Sequence, residues 1–179
     1  DAGTPIVAWT EAGQKVYVKS WSGSAWAALG VSASDGGIHP ASTYVYEPRV
    51  AIDPLTGNVI VAWANIVGGN CYTYLKRWNG SQWEELGGSA SGGGVSVNPS
   101  TSGPFGLAVD STGKPGVAWS AYSGGKYRVL FAEGNGNAWT GLGTSTSDGG
   151  LGQTTGHAKD PSLAYDPQGR PVIAWADDS

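Results

Sequence analysis

Apolar and polar positions along this chain alternate in short runs, and the runs recur. Val7-Ala8-Trp9, Val61-Ala62-Trp63 and Val117-Ala118-Trp119 are copies of one apolar run, and Ile173-Ala174-Trp175 is a near copy. Their tryptophans stand 54, 56 and 56 residues apart. A period of that size marks a tandem supersecondary unit. After each run comes an alternating stretch, clearest at Lys15-Val-Tyr-Val-Lys19 and Tyr72-Thr-Tyr-Leu-Lys76. It ends in Trp21-Ser-Gly-Ser-Ala-Trp26 and Trp78-Asn-Gly-Ser-Gln-Trp83; the third copy keeps Trp139 and has Gly134 in place of the first tryptophan. Shorter apolar runs precede each copy at Arg49–Ile52, Gly106–Val109 and Ser162–Tyr165. Period-two alternation with β-branched and aromatic residues predicts strands, and no apolar pattern of period 3.6 is long enough for a helix.

Turn residues divide the runs. Asp53-Pro-Leu-Thr-Gly57, Asp110-Ser-Thr-Gly113 and Asp166-Pro-Gln-Gly169 suit tight turns, because Asp bonds its own backbone and Gly accepts positive φ. Asn79-Gly80 is the strongest hairpin signal in the chain. Each unit closes on Leu29-Gly30, Leu86-Gly87 or Leu142-Gly143, followed by a glycine-rich loop. The unit therefore reads as four strands: A before the Asp turn, B on Val-Ala-Trp, C on the alternating stretch, and D from the second tryptophan to Leu-Gly. Such units repeated around an axis are the blades of a β-propeller. The fold class expected is all-β, a single partial propeller domain over 1–179, with repeats about 1–52, 53–109 and 110–165 and a partial fourth at 166–179. Written out, the strands run B-C-D, A-B-C-D, A-B-C-D, A-B. That is about three blades, fewer than the roughly 4–8 of closed propellers. The expectation is a ring completed by self-association, in which the strand A at Pro161–Tyr165 completes the first blade of a second copy; a segment of a longer array and a terminal strand swapped between chains are the other options.

Composition narrows the partners. Glycine is 30 of 179 residues, aromatics are 11% and charged residues only 13%, which describes a turn-rich chain with a neutral polar surface. The net charge is −4 with no basic cluster, so nucleic acid and anionic membranes are poor partners. No apolar run approaches the roughly 20 residues that span a bilayer. The chain does not begin with Met and carries no signal peptide, so it is expected to be a processed chain or a piece of a larger one. The single Cys71 makes no internal disulfide.

The residues Asp110-Ser-Thr-Gly-Lys-Pro-Gly-Val-Ala-Trp119, Leu75-Lys-Arg-Trp-Asn-Gly-Ser-Gln-Trp83 and Gly87-Gly-Ser-Ala-Ser-Gly-Gly-Gly-Val95 resemble tandem repeats of bacterial secreted and cell-surface proteins, broadly the sialidase-like β-propellers. The resemblance covers essentially the whole chain and implies an architecture and an extracellular or cell-surface setting. A more distant similarity is to six-bladed fucose-binding lectins, which share a Trp-x-Gly-x-x-Trp pattern on a shorter repeat and build rings from partial chains. Propellers serve as lectins, hydrolases and scaffolds alike, so function must come from a site.

Trp9, Trp63, Trp119 and Trp175 repeat within apolar strands and are expected to pack between blades. Trp21, Trp26, Trp78, Trp83 and Trp139 flank the C–D hairpins beside Ser, Asn and Gly. They have two readings: platforms that stack on sugar rings, with Asn79 and serines for the hydroxyls, or cross-strand pairs that staple the hairpin. Asp35 and Asp148 sit in Ser-x-Ser-Asp-Gly-Gly loops that offer oxygen ligands to Ca2+, but one carboxylate per loop makes a plain turn the stronger reading. The long D-to-A loops, with His39, Tyr44, Tyr46, Asn98, His157 and Lys159, are variable connections where recognition often resides.

A hydrolase reading finds little. The resemblance to sialidases would imply an arginine triad, yet Arg49, Arg77, Arg128 and Arg170 occupy unrelated repeat positions. Glu84 and Glu85 are adjacent, so on a strand they point to opposite faces. Two histidines in different units do not make a metal site. The expected function is a non-enzymatic, lectin-like recognition module for carbohydrate. The alternatives are a self-assembling structural unit of a surface layer, fibre or adhesin, and a non-catalytic part of a glycoside hydrolase.

Overall fold

The structure, a computed structural model, describes residues 3–12, 15–34, 36–39, 44–96, 104–147, 149–152 and 155–179. Among them there are thirteen strands and no helix. The strands are β1 (Ile6–Glu11), β2 (Lys15–Trp21), β3 (Trp26–Ala28), β4 (Tyr44–Ile52), β5 (Val59–Val67), β6 (Asn70–Trp78), β7 (Trp83–Glu84), β8 (Gly106–Val109), β9 (Pro115–Ser123), β10 (Lys126–Gly134), β11 (Trp139–Thr140), β12 (Ala158–Tyr165) and β13 (Pro171–Asp177). They form four antiparallel meanders, β1-β2-β3, β4-β5-β6-β7, β8-β9-β10-β11 and β12-β13. This is the B-C-D, A-B-C-D, A-B-C-D, A-B grouping of the sequence, so sheet boundaries fall in the D-to-A loops.

The sheets pack in chain order: β4 lies against β1 and β2, β8 against β4, and β12 against β8, β9 and β10. Strand B alternates between two apolar neighbours. Val59, Val61 and Trp63 join Val16 and Val18 of the first sheet in one core, while Ile60, Ala62 and Ala64 join Val117, Trp119 and Ala121 of the third sheet in another. Burial on both faces explains why strand B reads as a continuous apolar run. Trp63 is 0% exposed and Trp119 3%, whereas Trp175, with no strand C beside it among the described residues, is 36% exposed. Trp63 and Trp119 therefore pack between sheets as their repetition predicts, whereas Trp9 and Trp175, expected to do the same, lie on faces that no sheet covers among the described residues.

The Asp turns form as expected. Asp53 Oδ1 accepts from the Leu55 amide at 2.9 Å, Asp110 Oδ1 from the Thr112 and Lys114 amides at 2.8 Å each, and Asp166 Oδ1 from the Gln168 and Arg170 amides at 2.9 Å each. They also set the sheet spacing: Gly113 of one turn lies so close over the Asp53 carboxylate that a Cβ there would be 2.8 Å from its Oδ1.

Two features differ from the expectation. Strand A starts earlier, at Tyr44 and Ala158, because a bulge carries it across Pro48 and Pro161. Glu47 and Asp160, each just before that proline, have φ of 50° and 54°. Strand D is short, two or three residues, because the following loop continues its pairing along strand C. A buried serine clasps each loop. Ser32 Oγ donates to the Val18 carbonyl at 2.7 Å and accepts from the Leu29 amide at 2.9 Å; Ser89 repeats this with Leu75 and Leu86, and Ser145 with Phe131 and Leu142.

Candidate functional site

The C–D hairpins hold the predicted tryptophans in register. Trp21 pairs with Trp26 and Trp78 with Trp83, with ring centroids 5.6 and 5.7 Å apart. Four residues connect Trp78 to Trp83. Asn79 Oδ1 accepts from the Ser81 and Gln82 amides at 3.0 Å each, and its Nδ2 donates to Glu84 at 2.9 Å. Asn79 thus spends its amide group on the turn.

The hairpin also ties one sheet to the one before it. Trp83 Nε1 donates to the Leu29 carbonyl at 2.9 Å, and Trp139 Nε1 to the Leu86 carbonyl at 2.7 Å. Trp26 belongs to the first sheet and is 42% exposed. Trp139 also covers Gly134, where a Cβ would lie 3.0 Å from its ring.

Between the first and second sheets the hairpin leaves a groove of about 360 Å3, lined by Gly30, Val31 and Gly36–Ile38 on one side and by Lys76, Trp78, Ser81, Gln82 and Trp83 on the other. Its volume falls within the range of about 300–1,000 Å3 typical of small-ligand sites. Gly30 makes the close approach: φ is +60°, and a Cβ there would stand 2.7 Å from the Trp78 ring. Lys76 sits opposite Val61 in register, on the face of β6 that carries Trp78 and looks toward the first sheet. Burial holds the Lys76 ammonium below its ordinary pKa, with the Glu85 charge acting the other way. His39, packed on Trp63 and Tyr74 at 5.4 and 5.9 Å between centroids, is also held below its ordinary value, by burial first and the Lys76 charge second.

The same position between the second and third sheets is built differently. Ala132 and Gly134 replace Lys76 and Trp78, and Ala132 is 2% exposed. The hairpin closes on Gly87, where a Cβ would come 2.6 Å from the Ala138 nitrogen. A second groove of about 400 Å3 lies nearby between the Asp53 and Thr112–Pro115 turns. Its cations are already neutralised, Arg77 by Glu84 at 2.6 Å and Lys114 by Glu133 at 3.1 Å.

Of the remaining candidates, Glu85 bonds Ser91 at 2.9 Å, away from the Glu84 pair with Arg77. Arg49 lies over Phe105, Arg128 donates to the Gly156 carbonyl and Arg170 pairs with Asp166, so the four arginines do not converge. His157 accepts from the Tyr127 amide at 3.1 Å, far along the chain from His39, and Lys159 lies over the Tyr127 ring. Tyr44 and Tyr46 pack together on β4. Asp35, Asp148 and Asn98 lie outside the described residues; among the described residues no three His, Cys, Asp or Glu gather into a metal site. Sequence reasoning missed the clasp serines, although Leu-Gly-x-Ser recurs at 29–32, 86–89 and 142–145. It also missed Lys76, whose signal was a lysine two residues before the hairpin tryptophan in two units. Comparison with protein-family models and with curated proteins finds no match to the chain.

Proposed function

We propose that the chain is an extracellular, lectin-like recognition module, with its sheets arranged radially as propeller blades, that binds saccharide in the groove between the first two sheets. One observation carries this reading: the Trp78–Trp83 pair and the Ser81 and Gln82 rim stand together in an open groove of about 360 Å3. An indole face suits the C–H face of a pyranose, and the rim side chains can bond hydroxyls. The radial arrangement draws support from sheets that pack in order with their strands A adjoining. A glycan array followed by a tryptophan-fluorescence titration tests the proposal. Saturable binding that Trp78→Ala weakens about tenfold supports it, a loss of the size expected for stacking of about 1–3 kcal/mol. An array without a hit, or equal binding by Trp78→Ala, sinks it.

The second reading is self-assembly, in which copies complete a ring. It is favoured by the outer face of the first sheet. There Val7, Trp9, Tyr17, Lys19 and Trp21 repeat the set Val61, Trp63, Tyr74, Lys76 and Trp78, which the second sheet buries or turns into the groove. Val7 is 42% exposed and Val172, on the last strand, 56%. Sedimentation of the 18.3 kDa chain decides. A stable monomer at high concentration removes this reading and leaves the first intact.

A further inference from the structure

We propose that the groove selects an anionic saccharide, a uronic-acid unit whose carboxylate pairs with Lys76 while its ring lies on Trp78. This rests on the saccharide reading of the groove and adds the charge of its ligand. Lys76 and Trp78 share one face of β6 and line the same groove. Among the described residues the ion pairs are Arg77–Glu84, Lys114–Glu133 and Arg170–Asp166, and none includes Lys76. Glu85, the carboxylate that bears on it electrostatically, bonds the Ser91 hydroxyl and the Ala90 amide. A half-buried ammonium that makes no ion pair among the described residues carries a desolvation cost that an anionic ligand offsets.

The repeat supplies an internal comparison. Lys and Trp occur together as Lys19/Trp21 and Lys76/Trp78, and are lost together as Ala132/Gly134, where the hairpin shuts onto Gly87. The paired cations of the neighbouring groove, by contrast, have their charge spent within the protein.

The test compares trigalacturonate with the same trisaccharide methyl-esterified, by calorimetry on the full chain. The acid is expected to bind about tenfold or more tighter than the ester, as for a hydrogen bond to a charged group in a partly buried site. Lys76→Gln should bring the acid down to the level of the ester and leave the ester unchanged, and added NaCl should weaken the acid alone. Trp78→Ala should weaken both. Equal affinities in the native chain, or an undiminished acid affinity in Lys76→Gln, overturn the charge assignment and leave the saccharide reading standing. No binding of acid, ester or any array glycan overturns both.

Discussion

Replacing Ser89 by Ala removes one buried hydroxyl that makes two hydrogen bonds and should cost the fold substantially. Ser89 is 0% exposed. Its Oγ accepts from the Leu86 amide at 3.0 Å and donates to the Leu75 carbonyl at 2.7 Å. The backbone bond from the Leu75 amide to the Ser89 carbonyl, 2.9 Å, survives the change. What is left is a buried amide and a buried carbonyl without these partners, since Leu75 and Leu86 are 0% and 3% exposed. Each orphaned group costs about 1–3 kcal/mol, so the expected loss for the two is about 2–6 kcal/mol. For a domain of this size that lowers Tm by about 10 °C. Urea unfolding followed by circular dichroism gives the number, with an unchanged slope showing that stability alone moved. Ser91→Ala, in the same loop but exposed, is the control and should cost less than about 0.5 kcal/mol. Equal costs for the two variants would refute the clasp.

Gly94→Ala and Gly92→Ala test space against conformation, because both glycines have positive φ, +62° and +54°. A Cβ on Gly94 would fall on the Thr73 carbonyl and the Tyr74 ring, while at Gly92 nothing lies within 4 Å. Gly92→Ala should therefore cost only the left-handed penalty of about 1–2 kcal/mol, and Gly94→Ala clearly more by the same urea assay. Trp83→Phe removes the bond to the Leu29 carbonyl and should destabilise by about 1–2 kcal/mol; an unchanged midpoint would mean the bond between sheets contributes nothing. His39, held below its ordinary pKa of 6.5 by burial and then by Lys76, makes stability pH-dependent. The unfolded chain takes up this proton first, so the contribution is full above pH 6.5 and is lost as pH falls through the folded-state value. In His39→Gln the slope of stability against pH just below 6.5 should flatten, and an unaltered slope contradicts the assignment.

Much of the fold was legible because local chemistry and tertiary packing agree. Val-Ala-Trp predicts an apolar strand with a packed tryptophan, and Trp63 and Trp119 lie between sheets. The Asp turns and the Asn79 hairpin carry their own hydrogen bonds within a few residues, so they need no tertiary information. The start of strand A was not legible, because Pro48 and Pro161 read as strand breakers and only the bulge before them lets pairing continue. The clasp serines were hidden for a related reason: a serine in a glycine-rich loop reads as polar surface until the strand C carbonyl that it meets is known. For the site, sequence grouped Trp78 with Trp139, and Gly134 was the visible difference. That this difference shuts one groove and leaves the other open depends on the approach of Gly87 and Gly30 to the next hairpin, which no single repeat contains.

The most direct test of the saccharide site is a two-dimensional NMR titration that follows the indole N–H signals as the tightest array glycan is added. The Trp78 signal should move and saturate with the ligand, with Trp83 responding beside it, while Trp63 and Trp119, sealed between sheets, stay still. Saturable binding that leaves Trp78 unmoved would contradict the account.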